Sequence, residues 1–287
     1  VVRMHSYFPK LCPPACGMEI NFRRIKNNPR ISVLTSSEVT GISGNKENLQ
    51  VTIKSEPAYV NAYCTACGDC IEVCPETRPD AFNHSFGSTR AIYLPYAQAF
   101  PRKFVIDEAY CKGSSCSKCV ASCMYDAINL NAERKEEIVE AHSVIIATGW
   151  KNFNASNIPA LAYTESKDVV TNVEFELLSR SGPGEGKLQR PSDKKEPGSI
   201  AFVQCAGSRD RNNLPYCSAV CCSASLKHAL NVLESNPGAK VTIFYIDLRV
   251  TGRNEDFLRK VESKENIRLI KGKVGSIAVS RDNRDFS

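Results

Sequence analysis

Cysteine is the residue type here that could do chemistry, and twelve of the fourteen cysteines fall into three groups. The first is Cys64-x2-Cys67-x2-Cys70-x3-Cys74-Pro75. Thiolates at this spacing let one tight loop wrap three corners of an iron–sulfur cubane, with backbone N–H groups turned toward its sulfurs to offset the negative charge. Pro75 stops the loop behind the fourth cysteine. The second group is Cys111-x4-Cys116-x2-Cys119-x3-Cys123. It adds two residues around Gly113 and carries Met124 where the first group has proline. The third, Cys205-x11-Cys217-x3-Cys221-Cys222, has an irregular spacing of its own.

The first two groups form an internal pseudo-repeat. Cys74 is followed by Asp80-Ala81-Phe82, and Cys123 by Asp126-Ala127-Ile128. Such a pair is the pattern of two-cluster ferredoxins, in which the fourth cysteine of each run serves the other cluster. Crossed ligation is therefore expected: Cys64, Cys67, Cys70 and Cys123 at one [4Fe–4S] cluster, and Cys111, Cys116, Cys119 and Cys74 at the other. The competing reading is two four-cysteine zinc sites, although zinc ribbons usually set two CxxC pairs apart. In the third group, Cys205 follows an expected strand, Cys217 stands near the start of an expected helix, and Cys221 lies one turn further on. That end of a strand and start of a helix meet where α/β ligands sit, and a helix N-terminus suits anionic sulfur. A third cluster competes there with buried structural cysteines. Cys12-Pro13-Pro14-Ala15-Cys16 supplies only two thiols, read as packed thiols or a redox pair.

The positioning elements are those of an α/β chain. Ile31–Leu34 and Leu49–Ile53 read as strands, with a turn over Gly41–Asn45. Residues 61–130 change character to cysteine, glycine and proline. A polar stretch from Asn131 to Glu137 precedes Ser143-Val144-Ile145-Ile146-Ala147, apolar enough for a buried parallel strand. It ends in Ala147-Thr148-Gly149, a small turn that lets backbone approach a dinucleotide. The Gly-x-Gly-x-x-Gly fingerprint is absent. Val173–Leu178 reads as helix, and a polar loop runs from Ser181 to Pro197. Its Gly182-x-x-x-Gly186-Lys187 is one residue short of a phosphate loop and follows no strand, so it is discounted. Strands are expected at Ile200–Val203, Lys240–Ile246 and Ile267–Ile270, and helices at Ser218–Leu233 and Asn254–Ser263. This alternation predicts a largely parallel sheet.

Composition bounds the function. The net charge of +6 is modest, and residues 61–130 carry six Lys/Arg against seven Asp/Glu. Basic stretches are short, Arg23-Arg24-Ile25-Lys26 and Lys194-Lys195, and read as solvated surface rather than a nucleic-acid stripe. No apolar run reaches a membrane span and no signal peptide is visible, so a cytosolic chain with reduced thiols is expected. Val1 stands in place of a start methionine and both ends break a pattern. The expectation is a piece of a longer chain.

Taken together, the residues resemble the A subunit of heterodisulfide reductase. The resemblance rests on Tyr7-Phe8-Pro9-Lys10-Leu11-Cys12, the first two cysteine groups, Ala91-Ile92-Tyr93-Leu94-Pro95, Phe202 to Asp210, and Tyr216-Cys217-Ser218-x2-Cys221-Cys222. Cys12 to Phe22 and Leu214 to Val220 look closer to one branch, that of the quinone-interacting membrane-bound oxidoreductase complex of sulfate reducers. The resemblance implies a thioredoxin-reductase-like FAD-binding fold with an inserted two-cluster ferredoxin domain. Its divisions would be a partial FAD-binding domain over 1–60, the insert over 61–130, a return to the FAD domain over 131–160, and a second α/β domain over 161–287. It places FAD near Ala147, Thr148 and Gly149, with Glu38 and Val39 at its adenine end, and sets Lys227 close to the flavin ring. The competing reading of Lys227 is an exposed helix lysine. It implies a third cluster at Cys205, Cys217, Cys221 and Cys222. Function would be electron relay between FAD and [4Fe–4S] clusters in an oxidoreductase complex of dissimilatory sulfate reduction. The partners would be adenylylsulfate reductase, a second iron–sulfur flavoprotein subunit, and a quinone-reactive membrane subunit that holds the chain at the cytoplasmic face. The alternatives are a soluble, electron-bifurcating subunit of heterodisulfide-reductase type, a zinc-stabilised binding module, and a structural cysteine-rich scaffold.

Overall fold

The computed structural model describes residues 8–9, 11–12, 15–179 and 187–280, apart from the side chains of Cys16 and Arg253. The discounted phosphate-loop pattern at 182–187 lies almost wholly outside them. The chain divides into two compact units, Ala15–Gly149 and a second made of Val1–Pro14 with Trp150–Ser287. It is mixed α/β.

The Ala15–Gly149 unit opens with helix α1 (Ala15–Lys26). The basic stretch Arg23, Arg24 and Lys26 is its last turn, where cations complement the helix dipole. Phe22 of this helix stacks on Phe100 with ring centres 4.9 Å apart. Strand β1 (Ser37–Asn45) pairs antiparallel with β2 (Asn48–Ser55), as Ser37 with Ser55 and Asn45 with Asn48. The hairpin turn falls after Asn45 rather than within 41–45. Gly44 sits at φ +101°, and a Cβ there would meet the Asn48 carbonyl oxygen at 2.2 Å, so only glycine fits. Ile31–Leu34 forms no strand, and Ile31, Val33 and Leu34 are exposed.

The middle of this unit holds short elements: α2 (Asp69–Glu72), β3 (Thr77–Pro79), β4 (Ser88–Arg90), β5 (Ile92–Tyr93), β6 (Val105–Ile106) and α3 (Lys118–Ser122). Val60, Cys70, Ile92, Phe104 and Ile128 form its core, packed against Cys64, Cys74, Cys119 and Cys123. An antiparallel bridge of Val60 with Ile128 closes its base. Strand β7 (Lys135–Ala141) then completes a sheet of order β1-β2-β7, pairing Lys135 with Ser55 and Ala141 with Leu49. The expected strand 143–147 is not formed. Ile145 and Ile146 are 88% and 79% exposed, and no neighbouring strand pairs with the segment. The strand is instead β7, which starts inside the polar stretch and runs on to Ala141, because β2 offers it a complete ladder and a Lys54–Glu136 ion pair at 3.4 Å.

The second unit follows the expected alternation. After α4 (Asn172–Leu178) come β8 (Ser199–Val203), α5 (Cys221–Ser235), β9 (Lys240–Tyr245), α6 (Glu255–Glu262) and β10 (Ile267–Lys271). The sheet is parallel, in the order β10-β9-β8. Val241 and Ile243 of the central strand are fully buried, as are Leu226, Ala229 and Val232 of α5. Phe257 and Val261, one turn apart, give α6 its buried stripe. A capping box starts α4, with the Thr171 hydroxyl accepting from the Glu174 N–H and the Glu174 carboxylate accepting from the Thr171 N–H. Helix α5 starts three residues later than its sequence predicts. Ala219 adopts φ +59°, a left-handed conformation that cannot propagate a right-handed helix, so α5 begins only at Cys221.

Candidate iron–sulfur centres

The pseudo-repeat is visible in the backbone. Gly68 and Ser117 both take left-handed conformations and are followed by one-turn helices, α2 and α3. Each helix is closed by a cysteine N–H, from Cys74 to the Ile71 carbonyl at 3.2 Å and from Cys123 to the Val120 carbonyl at 3.1 Å. Ahead of them, Ala66 (φ 56°) donates its N–H to Cys64 Sγ at 3.4 Å, and Gly113 (φ 60°) donates to Cys111 Sγ at 3.3 Å. The two extra residues of the second loop are taken up in a 3₁₀ turn at Gly113–Ser115. Met124 is 77% exposed, so the missing proline costs no packing.

Two hollows result. The first encloses about 320 Å³, counting its open mouth, and is lined by Cys64, Cys67, Cys70 and Cys123, with Asp69, Phe104 and Tyr125. The second, of about 350 Å³, is lined by Cys74, Cys111, Cys116 and Cys119, with Glu76, Lys112 and Lys118. The structure thus gathers the eight cysteines in two crossed sets of four. Cys70 of α2 and Cys119 of α3 face each other closely enough for the charge of one to raise the other's pKa.

Their chemistry suits a polynuclear metal body. Burial pushes the Cys70 thiol up to about 12, and the charges of Cys64 and Cys67 push the same way. Burial likewise raises Cys119, with Cys111 adding to it. Cysteines that take up a metal release their thiol protons to it, so metal binding would overcome this raised pKa. Among the described residues, no three His, Cys, Asp or Glu side chains close in tightly enough to hold one metal ion. The Ala66, Gly113 and Ala127 N–H groups donate to Cys64, Cys111 and Cys123, as donors to the thiolates of an iron–sulfur cluster would.

The third group gathers at the carboxyl edge of the parallel sheet. Cys205, buried and at φ 58°, stands two residues beyond β8, and Cys221 and Cys222 open α5. The loop between returns Cys217 to them, held by the Leu214 N–H on the Gly207 carbonyl (2.9 Å) and the Arg209 N–H on the Tyr216 carbonyl (3.0 Å). Gly207 packs so closely on the Phe153 ring that a Cβ would stand 2.5 Å from it. The Ala219 N–H donates to Cys217 Sγ and the Ser218 hydroxyl to Cys221 Sγ, each at 3.3 Å. A hydrogen bond from Cys222 lowers the pKa of Cys221 despite burial, with Ser218 adding to it, while Cys222 is correspondingly raised. Burial raises Cys205, and Arg209 opposes this from an ion pair with Asp247 at 2.8 Å.

Lys227 lies on α5 and is 3% exposed, which overturns the exposed-helix reading. Its ammonium meets Glu176 Oε2 of α4 at 2.5 Å, and His228 Nε2 meets the same oxygen at 2.5 Å. Burial would raise Glu176, but hydrogen bonds and charge from His228 and Lys227 hold it at about 2. His228 is itself lowered by burial, against the pull of Glu176. Sequence reading missed Glu176, His228, Arg209 and Ser218. The signal for two of them was a Lys-His pair set inside the apolar run Leu226 to Leu230.

The residues expected at FAD are not brought together. Glu38 and Val39 lie on the edge strand β1, and Ala147, Thr148 and Gly149 lie in the exposed segment that follows β7, the opposite edge of the same sheet. Cys12 is exposed, and the Cys16 side chain lies outside the described residues. Among the described residues no helix is long and apolar enough to cross a membrane.

No family model matches the sequence. Curated relatives do. The chain is 33% identical over 284 residues to the A subunit of the H(2):CoB-CoM heterodisulfide,ferredoxin reductase of Methanothermobacter thermautotrophicus, a match covering 98% of this chain and 43% of that one. It is 35% identical to the A subunit of the ferredoxin:CoB-CoM heterodisulfide reductase of Methanosarcina mazei, over 98% and 36% of the two chains. To the second iron-sulfur A subunit of the CoB--CoM heterodisulfide reductase of Methanopyrus kandleri it is 36% identical, over 100% and 44%. The chain spans less than half the length of these relatives, and over that span it belongs to the A-subunit family of heterodisulfide reductases.

Proposed function

We propose that this chain carries electrons through three [4Fe–4S] clusters as part of an oxidoreductase subunit. The observation that carries the reading is the crossed gathering of Cys64, Cys67, Cys70 and Cys123 at one hollow and of Cys74, Cys111, Cys116 and Cys119 at another. Cys205, Cys217, Cys221 and Cys222 would hold the third cluster. When bound, the clusters supply one-electron redox chemistry. The chain's residues hold them, donate N–H groups to their thiolates and exclude water from the inner cysteines. Residues 61–130 are read as a ferredoxin-like domain set within a FAD-binding fold over 1–60 and 131–160, and residues 161–287 as a second α/β domain. Glu38, Val39, Ala147, Thr148 and Gly149 are proposed to contact FAD, and Lys227, neutralised by Glu176, to face the flavin.

Two settings for the complex are supported by different observations. The relatives' names point to a subunit of heterodisulfide-reductase type, working with the other subunits of a reductase. The stretches Cys12 to Phe22 and Leu214 to Val220 point to a quinone-linked complex of sulfate reduction, whose partners would be adenylylsulfate reductase, a second iron–sulfur flavoprotein and a membrane subunit. Subunits recovered with the full protein separate the two. The chemistry is tested by an anaerobic count of iron, sulfide and flavin. About twelve iron atoms per chain are expected for three cubanes. Zinc without iron or acid-labile sulfide would refute the reading in favour of a zinc-stabilised module.

A further inference from the structure

The two halves of the pseudo-repeat differ in charge at matched positions. The residue before the third cysteine of each run opens its one-turn helix and lines its hollow, and it is Asp69 at the first hollow and Lys118 at the second. Around the second hollow, Lys112 is paired with Glu76 at 2.5 Å, and both residues line it, so Lys118 is left as the net charge of the lining. At the first, Asp69 is the charged lining residue. Lys103 stands behind its wall, with its ammonium on the Val60 carbonyl at 3.2 Å. Arg78 is paired with Asp107 (2.6 Å), and Arg134 with Glu56 (2.9 Å) and Glu108 (3.0 Å), and none of these lines the first hollow.

We propose that this reversal makes the two centres unequal, so that an electron added to the pair resides on the centre of Cys74, Cys111, Cys116 and Cys119. The inference rests on the iron–sulfur reading of both hollows. A cubane's potential follows the charge and hydrogen bonds around it. Lys118 stabilises an added negative charge at the second centre and Asp69 opposes one at the first. Hydrogen bonding is nearly balanced: the first set receives N–H···S bonds from Ala66 and Ala127, and the second from Gly113, with the Val120 backbone also bonding Cys119. One neutral donor is weaker than a difference of two full charges, even though both charged residues are exposed and partly screened. With both charges screened by water, a net preference of about tenfold for the second centre is expected. The inner thiols Cys70 and Cys119, one from each set, give the electron a short passage between the centres.

The test is a dithionite titration of the reconstituted full chain at low salt, followed by electron paramagnetic resonance. The centres are assigned with Cys67→Ser and Cys116→Ser, each of which alters the signal of one. The second centre is expected to accept its electron first. Lys118→Asp should lower the midpoint of that centre alone, Asp69→Lys should raise that of the first alone, and the double exchange should reverse the order. Asp69→Asn and Lys118→Gln, which keep size and lose charge, should give about half of each shift. Iron counts on every variant separate lost assembly from a moved potential. Reduction of the first centre before the second in the unaltered chain, or charge exchanges that leave both midpoints in place, would overturn the inference while leaving the cluster reading intact. A chain that takes up no iron would overturn both.

Discussion

Replacing Glu176 with glutamine should cost the Trp150–Ser287 unit about 3 kcal/mol at pH 7. The carboxylate is held at about 2, against its ordinary 4.5, by partners buried with it. At about 1.4 kcal/mol per pKa unit, that difference is roughly 3 kcal/mol of interaction with the ionised form. Loss of one partner from a buried ion pair gives a similar figure, about 3–5 kcal/mol, because Lys227 would remain buried beside a neutral amide. The sign follows from the depressed pKa. The stabilisation is complete above 4.5 and is lost as pH falls from there toward 2, so the two proteins should converge in acid. Burial lowers His228, which adds to the acid sensitivity below its ordinary 6.5. Hydrogen–deuterium exchange of the 221–235 peptide reports this unit separately from the other, which a single melting curve does not. The companion variant is Glu176→Leu with Lys227→Met, which removes both charges and should recover most of the loss. A loss below about 1 kcal/mol for Glu176→Gln, or a double variant no better than the single, would refute the view that the buried carboxylate exists to neutralise Lys227.

Crossed ligation predicts that Cys123→Ser perturbs the same electron paramagnetic resonance signal as Cys67→Ser, and that Cys74→Ser perturbs the same signal as Cys116→Ser. Uncrossed ligation would exchange these partners. Gly207→Ala should displace Phe153 or the loop from Cys205 to Cys217, lowering iron content by about four atoms per chain through loss of the third cluster alone. Gly44→Ala should loosen the β1–β2 hairpin by about 1–3 kcal/mol, read as faster exchange of amides 37–55, without change in iron content.

The α/β half was legible because its signals are local. Val241 to Phe244 and Ile267 to Ile270 are apolar runs bounded by breakers, and the helices between them have one apolar face. The crossed cysteine sets were legible because their spacing is geometric and repeats. What escaped depends on tertiary context. Val144 to Ala147 has the composition of a buried strand, but a strand exists only where a neighbour offers a ladder, and β2 offers one to the more polar 135–141. Helix α5 begins only at Cys221 because Ala219 turns left-handed, a conformation that no alanine advertises. The burial of Lys227 followed from Glu176, fifty-one residues earlier, which sequence pattern does not connect to it.

The register of β2 and β7 has one further consequence. Ser55, the last residue of β2, lies opposite Lys135, the first of β7, so everything from 56 to 134 leaves and re-enters the sheet across a single strand spacing. A second rung, Val60 with Ile128, fastens the excursion again just below the cysteines. To the sheet, this entire stretch is one long hairpin loop. It can grow, shrink or be exchanged without shifting any pair in the ladder, which makes it a natural place for a fold to acquire wiring it did not begin with.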